Sequence, residues 1–159
     1  MPAYFPLFVN LSEKKFVVFG AGKIAARRVS GLLRYGAAVT VIAPKTGADM
    51  LALLSGNPGR LLIKERAYLP GELKHRQADY VLAATDNSKV NAAIVQECRN
   101  RKIPVNNASD STQCDFYFPA LVERDQLVVG VVSTDGNHKK TARFCKRLRS
   151  LEGLADEEE

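Results

Sequence analysis

A chain of 159 residues, 46% of them hydrophobic, can bury one good core with a small appendage, and is too short for two large domains. The N-terminus MPAYFPLFVNL has no basic stretch ahead of a sustained apolar run, and no segment approaches the roughly 18 apolar residues of a membrane span; a soluble, cytoplasmic protein without a membrane partner is expected. The net charge of +6 calls for an anionic partner, and the widely spaced Cys98, Cys114 and Cys145 offer neither a disulfide framework nor a metal-binding pair.

In chain order, residues 15–19 (KFVVF) predict a strand ending at Gly20, and residues 24–33 a helix with Ile24, Val29, Leu32 and Leu33 at helical spacing. Gly36 stops that helix, and residues 38–43 (AVTVIA) form a second buried strand. A short helix at 50–54, a third strand at 61–64 and a turn or short helix at 69–73 follow. Residues 78–84 (ADYVLAA) read as a fourth strand, 89–99 as a helix capped by Asn87 or Ser88, and 104–106 as a fifth strand. This alternation predicts an α/β fold, a Rossmann-type parallel sheet with its first strand near the centre and its ligand outside the carboxyl ends of the strands. Beyond residue 110 the pattern changes to a hairpin, 116–122 and 127–133 about the charged turn 123–126, and then a basic helix at 139–151. The expected organisation is a dinucleotide-binding domain at 1–112, a hairpin-plus-helix segment at 113–152 and a disordered acidic tail at 153–159.

The run Gly20-Ala21-Gly22-Lys23-Ile24-Ala25 is GxGxxA between a strand and a helix. The first glycine permits a tight turn and the second lets backbone approach a pyrophosphate. The small Ala25 lets helix and strand pack closely, so that amides at the helix N-terminus face the phosphates. The acid expected about 20 residues on, at the adenosine ribose, is missing. The second strand ends Ala43-Pro44-Lys45, which leaves the ribose to backbone or water and, through Lys45, leaves NADP open beside NAD. Thr85 and Asp86, at the end of the fourth strand, could line the cofactor site; equally, Asp86, Asn87 and Ser88 could simply turn and cap the next helix. His75 and His138, without a carboxylate cluster, make no metal site.

The opening YFPLFVNL, the loop GAGKIAARR, AATDN with Asn91, PVN at 104–106 and CDFYFPA at 114–120 occur in one order, at intervals similar to those of precorrin-2 dehydrogenases and the N-terminal part of siroheme synthases. The resemblance covers roughly residues 3–150. It implies oxidation of precorrin-2 to sirohydrochlorin with NAD, in some members joined by ferrochelation. It also implies a homodimer in which the segment after the Rossmann domain is exchanged, and a further helical domain. The chain ends before such a domain could be accommodated, as in a short member or a truncated chain. Counting from Asn106 and Cys114 puts the family's catalytic aspartate at Ser109, with Asp110 as its neighbour. Asp110 is the expected carboxylate, and an Asx turn is its competing role.

At 133–140 (STDGNHKK) the family commonly carries a glycine-rich STGGKSP-like turn; Ser133 and Thr134 match it, while the family's serine and proline are replaced. Lys139, Lys140 and Arg143 are the expected contacts for an anionic tetrapyrrole, against a solvated helix face. Two other classes compete: a non-catalytic NAD(H)-sensing Rossmann domain, and nucleic-acid binding through the basic helix, for which affinity would fall steeply with salt. The resemblance favours the enzyme, without nucleic acid.

Overall fold

The computed structural model describes residues 5–124 and 126–151, which fall into two compact units. The larger, Val9–Tyr117, is a five-stranded parallel sheet in the order β3-β2-β1-β4-β5. Its strands are β1 (Lys15–Phe19), β2 (Ala38–Ala43), β3 (Leu61–Glu65), β4 (Tyr80–Ala83) and β5 (Val105–Asn107). Helices α1 (Lys23–Arg34), α2 (Ala48–Gly56) and α3 (Ser88–Arg101) connect them. The central position of β1 follows from its composition: Phe16 to Phe19 are buried on both faces, as a strand covered by helices requires.

Helix α1 buries Ala25, Ala26, Val29, Leu32 and Leu33. Ile24, which the sequence spacing grouped with this face, instead lies at the first turn and is 50% exposed. The helix ends in a Schellman motif. Gly36, at φ +88°, donates to the Leu33 carbonyl, and Ala37 donates to that of Leu32. A core cluster of Val17, Phe19, Ile42, Val81, Ile94, Val95 and Val105 closes one side of the sheet. Leu73 joins it from a 3-10 turn, Glu72–His75, which lies slightly beyond the 69–73 expected for a turn or short helix. Glu97 fixes that connection: its carboxylate accepts from the Tyr68 hydroxyl at 2.7 Å and from the amides of Gly71 and Leu73 at 3.2 and 2.8 Å. Glu72, nearly buried, accepts from Arg66 and Arg76.

The outer edge of β5 is finished by the segment that follows it. Asp115 donates its amide to the Val105 carbonyl and accepts the Val105 amide on Oδ2, while Cys114 Sγ accepts the Asn107 amide and donates to the Asn107 carbonyl. Asn106 Nδ2 donates to the Phe116 carbonyl and its Oδ1 accepts from Arg28 on α1. Residues 113–117, which the sequence places with the hairpin, therefore group with the sheet.

The second unit joins residues 5–8 to 118–151 among those described. Strands β6 (Ala120–Arg124) and β7 (Leu127–Val131) form an antiparallel hairpin closed by the pair Arg124 and Leu127. The first strand starts later than expected, since Phe116 and Tyr117 belong to the other unit. Helix α4 (His138–Arg149) packs on β6, burying Cys145 and Val122, and Arg149 donates to the Leu121 carbonyl. The acidic tail lies outside the described residues. No helix among those described is long and apolar enough to cross a membrane.

Candidate functional site

The carboxyl ends of β1, β2 and β4 meet at the glycine loop. Gly20 donates to the Ile42 carbonyl and Ala84 to that of Phe19. Gly20 sits at φ +104°, and a Cβ there would lie 2.2 Å from the Ala84 carbonyl oxygen, so the first glycine is needed twice, for its dihedral and for the strand beside it. Gly22 differs. It caps α1 in an extended conformation, and a Cβ on it would meet nothing within 4 Å. The space over this second glycine is open, as the close approach of a pyrophosphate demands. No side chain caps α1 and its first turn holds no acid, so the leading amides and the positive helix end remain available to an anion. Ala21 is buried beneath the loop, while Lys23 and Ile24 are exposed above it. The residues present thus fit a dinucleotide.

Beside this loop, Ala43 is buried at the end of β2, and Pro44 and Lys45 are exposed. The Gly47 amide reaches the Ala21 carbonyl at 3.3 Å, which latches the loop after β2 onto the glycine loop. Thr46 Oγ1 donates to Glu65 Oε1 at 3.0 Å.

At the ends of β4 and β5 a chain of hydrogen-bonded polar side chains, anchored on the buried Asn91 and Asn107, replaces the simple turn. Asn91, fully buried on α3, accepts on Oδ1 from the Thr85 amide and hydroxyl, at 3.1 and 2.7 Å. Its Nδ2 donates to the Thr85 carbonyl and to Ser109 Oγ, each at 3.1 Å. Ser109 in turn donates its hydroxyl to Asn107 Oδ1 at 2.7 Å, and Asn107 Nδ2 donates to Gln113. Asn87 caps α3, accepting from the Lys89 and Val90 amides, and Asp86 is exposed between Thr85 and this cap. Thr85 and Ser109, singled out by sequence for different roles, are therefore joined through Asn91.

Asp110 follows Ser109 and begins a 3-10 turn, Ser111–Gln113. Oδ1 accepts both the Thr112 hydroxyl at 2.7 Å and its amide at 2.9 Å. These bonds, the hydroxyl's first, hold the carboxyl below its usual range. Oδ2 makes no hydrogen bond among the described residues. The Asx-type turn is present, and it still leaves one oxygen of the carboxylate available. Cys114 and Cys98 are thiols whose burial raises their pKa, that of Cys98 to about 12.

In the second unit the residues matched to the family's turn form a local cap. The Ser133 hydroxyl contacts Asp135, the Asn137 amide donates to Ser133 Oγ and to Asp135, and Asn137 Oδ1 accepts the Lys140 amide at 2.9 Å. Thr134, Lys139, Lys140 and Arg143 are exposed along this turn and the start of α4. No cluster of His, Cys, Asp and Glu able to hold a metal occurs among the described residues.

Sequence reasoning passed over Asn107, Gln113 and the Thr46–Glu65 contact. A signal existed for the first: paired asparagines closing an otherwise apolar strand must find partners when buried, as Asn106 and Asn107 do.

Residues 7–120 match a family described as NAD(P)-binding. The chain belongs to this NAD(P)-binding family. Its relatives include the siroheme synthase of Methylobacillus flagellatus, 37% identical over 147 residues, 92% of this chain and 30% of that protein. The siroheme synthase of Psychrobacter arcticus is 34% identical over 150 residues, 92% of this chain and 26% of that protein. The chain thus spans about a third or less of the length of these curated relatives. Among solved structures, SirC, a precorrin-2 dehydrogenase, superposes with a TM-score of 0.75 at 29% identity, over 92% of this chain and 70% of that one. The family is thus the one that the five sequence motifs point to, with the same α/β fold and with NAD as its cofactor.

Proposed function

We propose that this chain is the dehydrogenase module that oxidises precorrin-2 to sirohydrochlorin with NAD in siroheme biosynthesis, in the cytoplasm. The observation that carries the reading is the likeness to SirC over 92% of the chain, on a fold whose glycine loop is open over Gly22. NAD, when bound, takes up the hydride that this oxidation releases. The chain supplies the rest. Gly20 to Ile24 hold the pyrophosphate, Ala43, Pro44 and Lys45 border the adenosine, and Thr85 and Asp86 border the nicotinamide end. Asp110 is the group that receives the proton lost with the hydride. Its ionised state and its unoccupied Oδ2 support that role, whereas the Ser109 hydroxyl is committed to Asn107 and accepts from Asn91. Ser109 is then a positioning residue that ties the Asp110 loop to Thr85.

Precorrin-2 is a polycarboxylate, and Ser133, Thr134, Lys139, Lys140 and Arg143 at the start of α4 are its proposed anchors, through cationic side chains and the helix N-terminus together. The exposed apolar side chains of β7, Leu127, Val128 and Val129, with nearby Val132, support a homodimer built on the hairpin.

Purified protein supplied with NAD and precorrin-2 is expected to generate NADH absorbance together with the sirohydrochlorin spectrum; absence of both overturns the dehydrogenase reading. Ferrous iron added to the same mixture tests for chelation. Siroheme forming faster than without protein would give this chain the second step as well.

A further inference from the structure

The acid that a dinucleotide-binding fold usually carries at the end of its second strand is absent here, where β2 runs into Ala43-Pro44-Lys45. The parallel register, however, pairs Ala43 with Glu65, so the last residue of β3 stands level with the last residue of β2. Glu65 is exposed, and its carboxylate is drawn across to the loop after β2 by the Thr46 hydroxyl, which donates to Oε1 at 3.0 Å. That loop is in turn fastened to the phosphate-binding loop. The Gly47 amide donates to the Ala21 carbonyl, and a Cβ on Gly47 would lie 3.1 Å from the same oxygen. Glycine loop, β2 loop and Glu65 therefore form one connected rim, with a carboxylate one strand further out than usual.

We infer that Glu65, held by Thr46, is the ribose carboxylate of this site and the residue that selects NAD over NADP. The vicinal hydroxyls of the adenosine ribose are usually met by an anionic acceptor beyond the pyrophosphate loop. Glu65 Oε2 makes no hydrogen bond among the described residues and can take one, while Thr46 Oγ1, its proton already given to Oε1, can accept another. A ribose phosphate would bring a second anion against this carboxylate in a place where Lys45 is the neighbouring cation on the β2 loop. Removing the Glu65 charge removes that repulsion.

The inference rests on the cofactor site alone and stands whether or not precorrin-2 is the substrate. Calorimetric titration of the full chain with NAD and with NADP tests it, together with the Glu65→Gln and Thr46→Val variants. Glu65→Gln is expected to weaken NAD binding by about tenfold, the loss of one charge-assisted hydrogen bond, and to tighten NADP, so that the preference between them shifts by more than tenfold. Thr46→Val keeps the charge but releases the carboxylate, and is expected to weaken NAD binding while keeping the larger part of the preference for NAD. An unchanged ratio in Glu65→Gln would make the Thr46–Glu65 bond a loop fastening only and overturn the inference. So would an equal loss of preference in Thr46→Val, which would trace the effect to loop geometry rather than charge. Melting temperatures close to that of the parent in both variants would show that the fold is intact.

Discussion

The two glycines of the loop do different work, and their alanine variants should fail differently. Gly20→Ala forces a Cβ against the Ala84 carbonyl at a dihedral alanine avoids, and should cost on the order of 3 kcal/mol, visible in urea unfolding. Gly22→Ala puts a methyl into open space, so stability should stay within about 0.5 kcal/mol of the parent while NAD affinity measured by titration falls steeply. At Asp110, exchange to Asn preserves the acceptor for Thr112 and removes the proposed base; the dehydrogenase kcat should fall about a hundredfold or more without a change in melting temperature. The Thr112 bonds, the hydroxyl's first, hold the Asp110 carboxyl below its usual range, so it is ionised wherever an ordinary carboxylate is. Any acid limb in the rate profile of the parent at higher pH must then come from another group. Asp110 was legible as a residue, and the sequence offered it an Asx turn with Ser109 and Ser111; the turn that forms is closed by Thr112 instead. What was not legible is that the turn uses Oδ1 alone and leaves Oδ2 open, because that depends on the folded geometry of the loop.

At the level of elements, the strands and helices of the sheet could be read because β1, β2 and β4 are short apolar runs with glycine or charged breaks around them. The hairpin boundary could not, because Phe116 and Tyr117 are as β-prone as the residues after them, and their assignment is decided by a hydrogen bond from Asn106, distant in sequence. The connection from β3 to β4 is held by the partly buried carboxylates of Glu72 and Glu97, which carry no sequence signature. Glu97→Ala would strand the Tyr68 hydroxyl and the amides of Gly71 and Leu73; a loss of about 3 kcal/mol is expected, with faster hydrogen exchange confined to that connection. Glu72 has its pKa depressed, first by the Arg66 hydrogen bond and also by Arg76. A depressed folded pKa gives stability that is present above the unfolded carboxylate value near about 4.3 and is lost as pH falls through the folded value. In Glu72→Gln, the acid limb of the melting temperature against pH should accordingly be shallower than in the parent.

At the level of the whole molecule, the hairpin-based dimer is the assembly most directly open to test. Val129→Lys places a charge among the exposed apolar side chains of β7, and sedimentation is expected to show the variant as a monomer at concentrations where the parent is dimeric. A parent that is monomeric throughout would remove the dimer. The other sheet poses the opposite problem, since an open parallel sheet exposes a template for misassembly at each end. At β5 the template is blanked: the amides and carbonyls of Val105 and Asn107 on the outer side are taken by Asp115 and by the Cys114 sulfur, so an incoming strand finds no free donor or acceptor there. Two residues of the CDFYFPA motif, Cys114 through its sulfur and Asp115 through its carboxylate and its own amide, thus act as a counterfeit sixth strand too short to recruit a seventh. On this sheet, among the described residues, strand addition is left the β3 edge, whose last two residues are the charged Lys64 and Glu65.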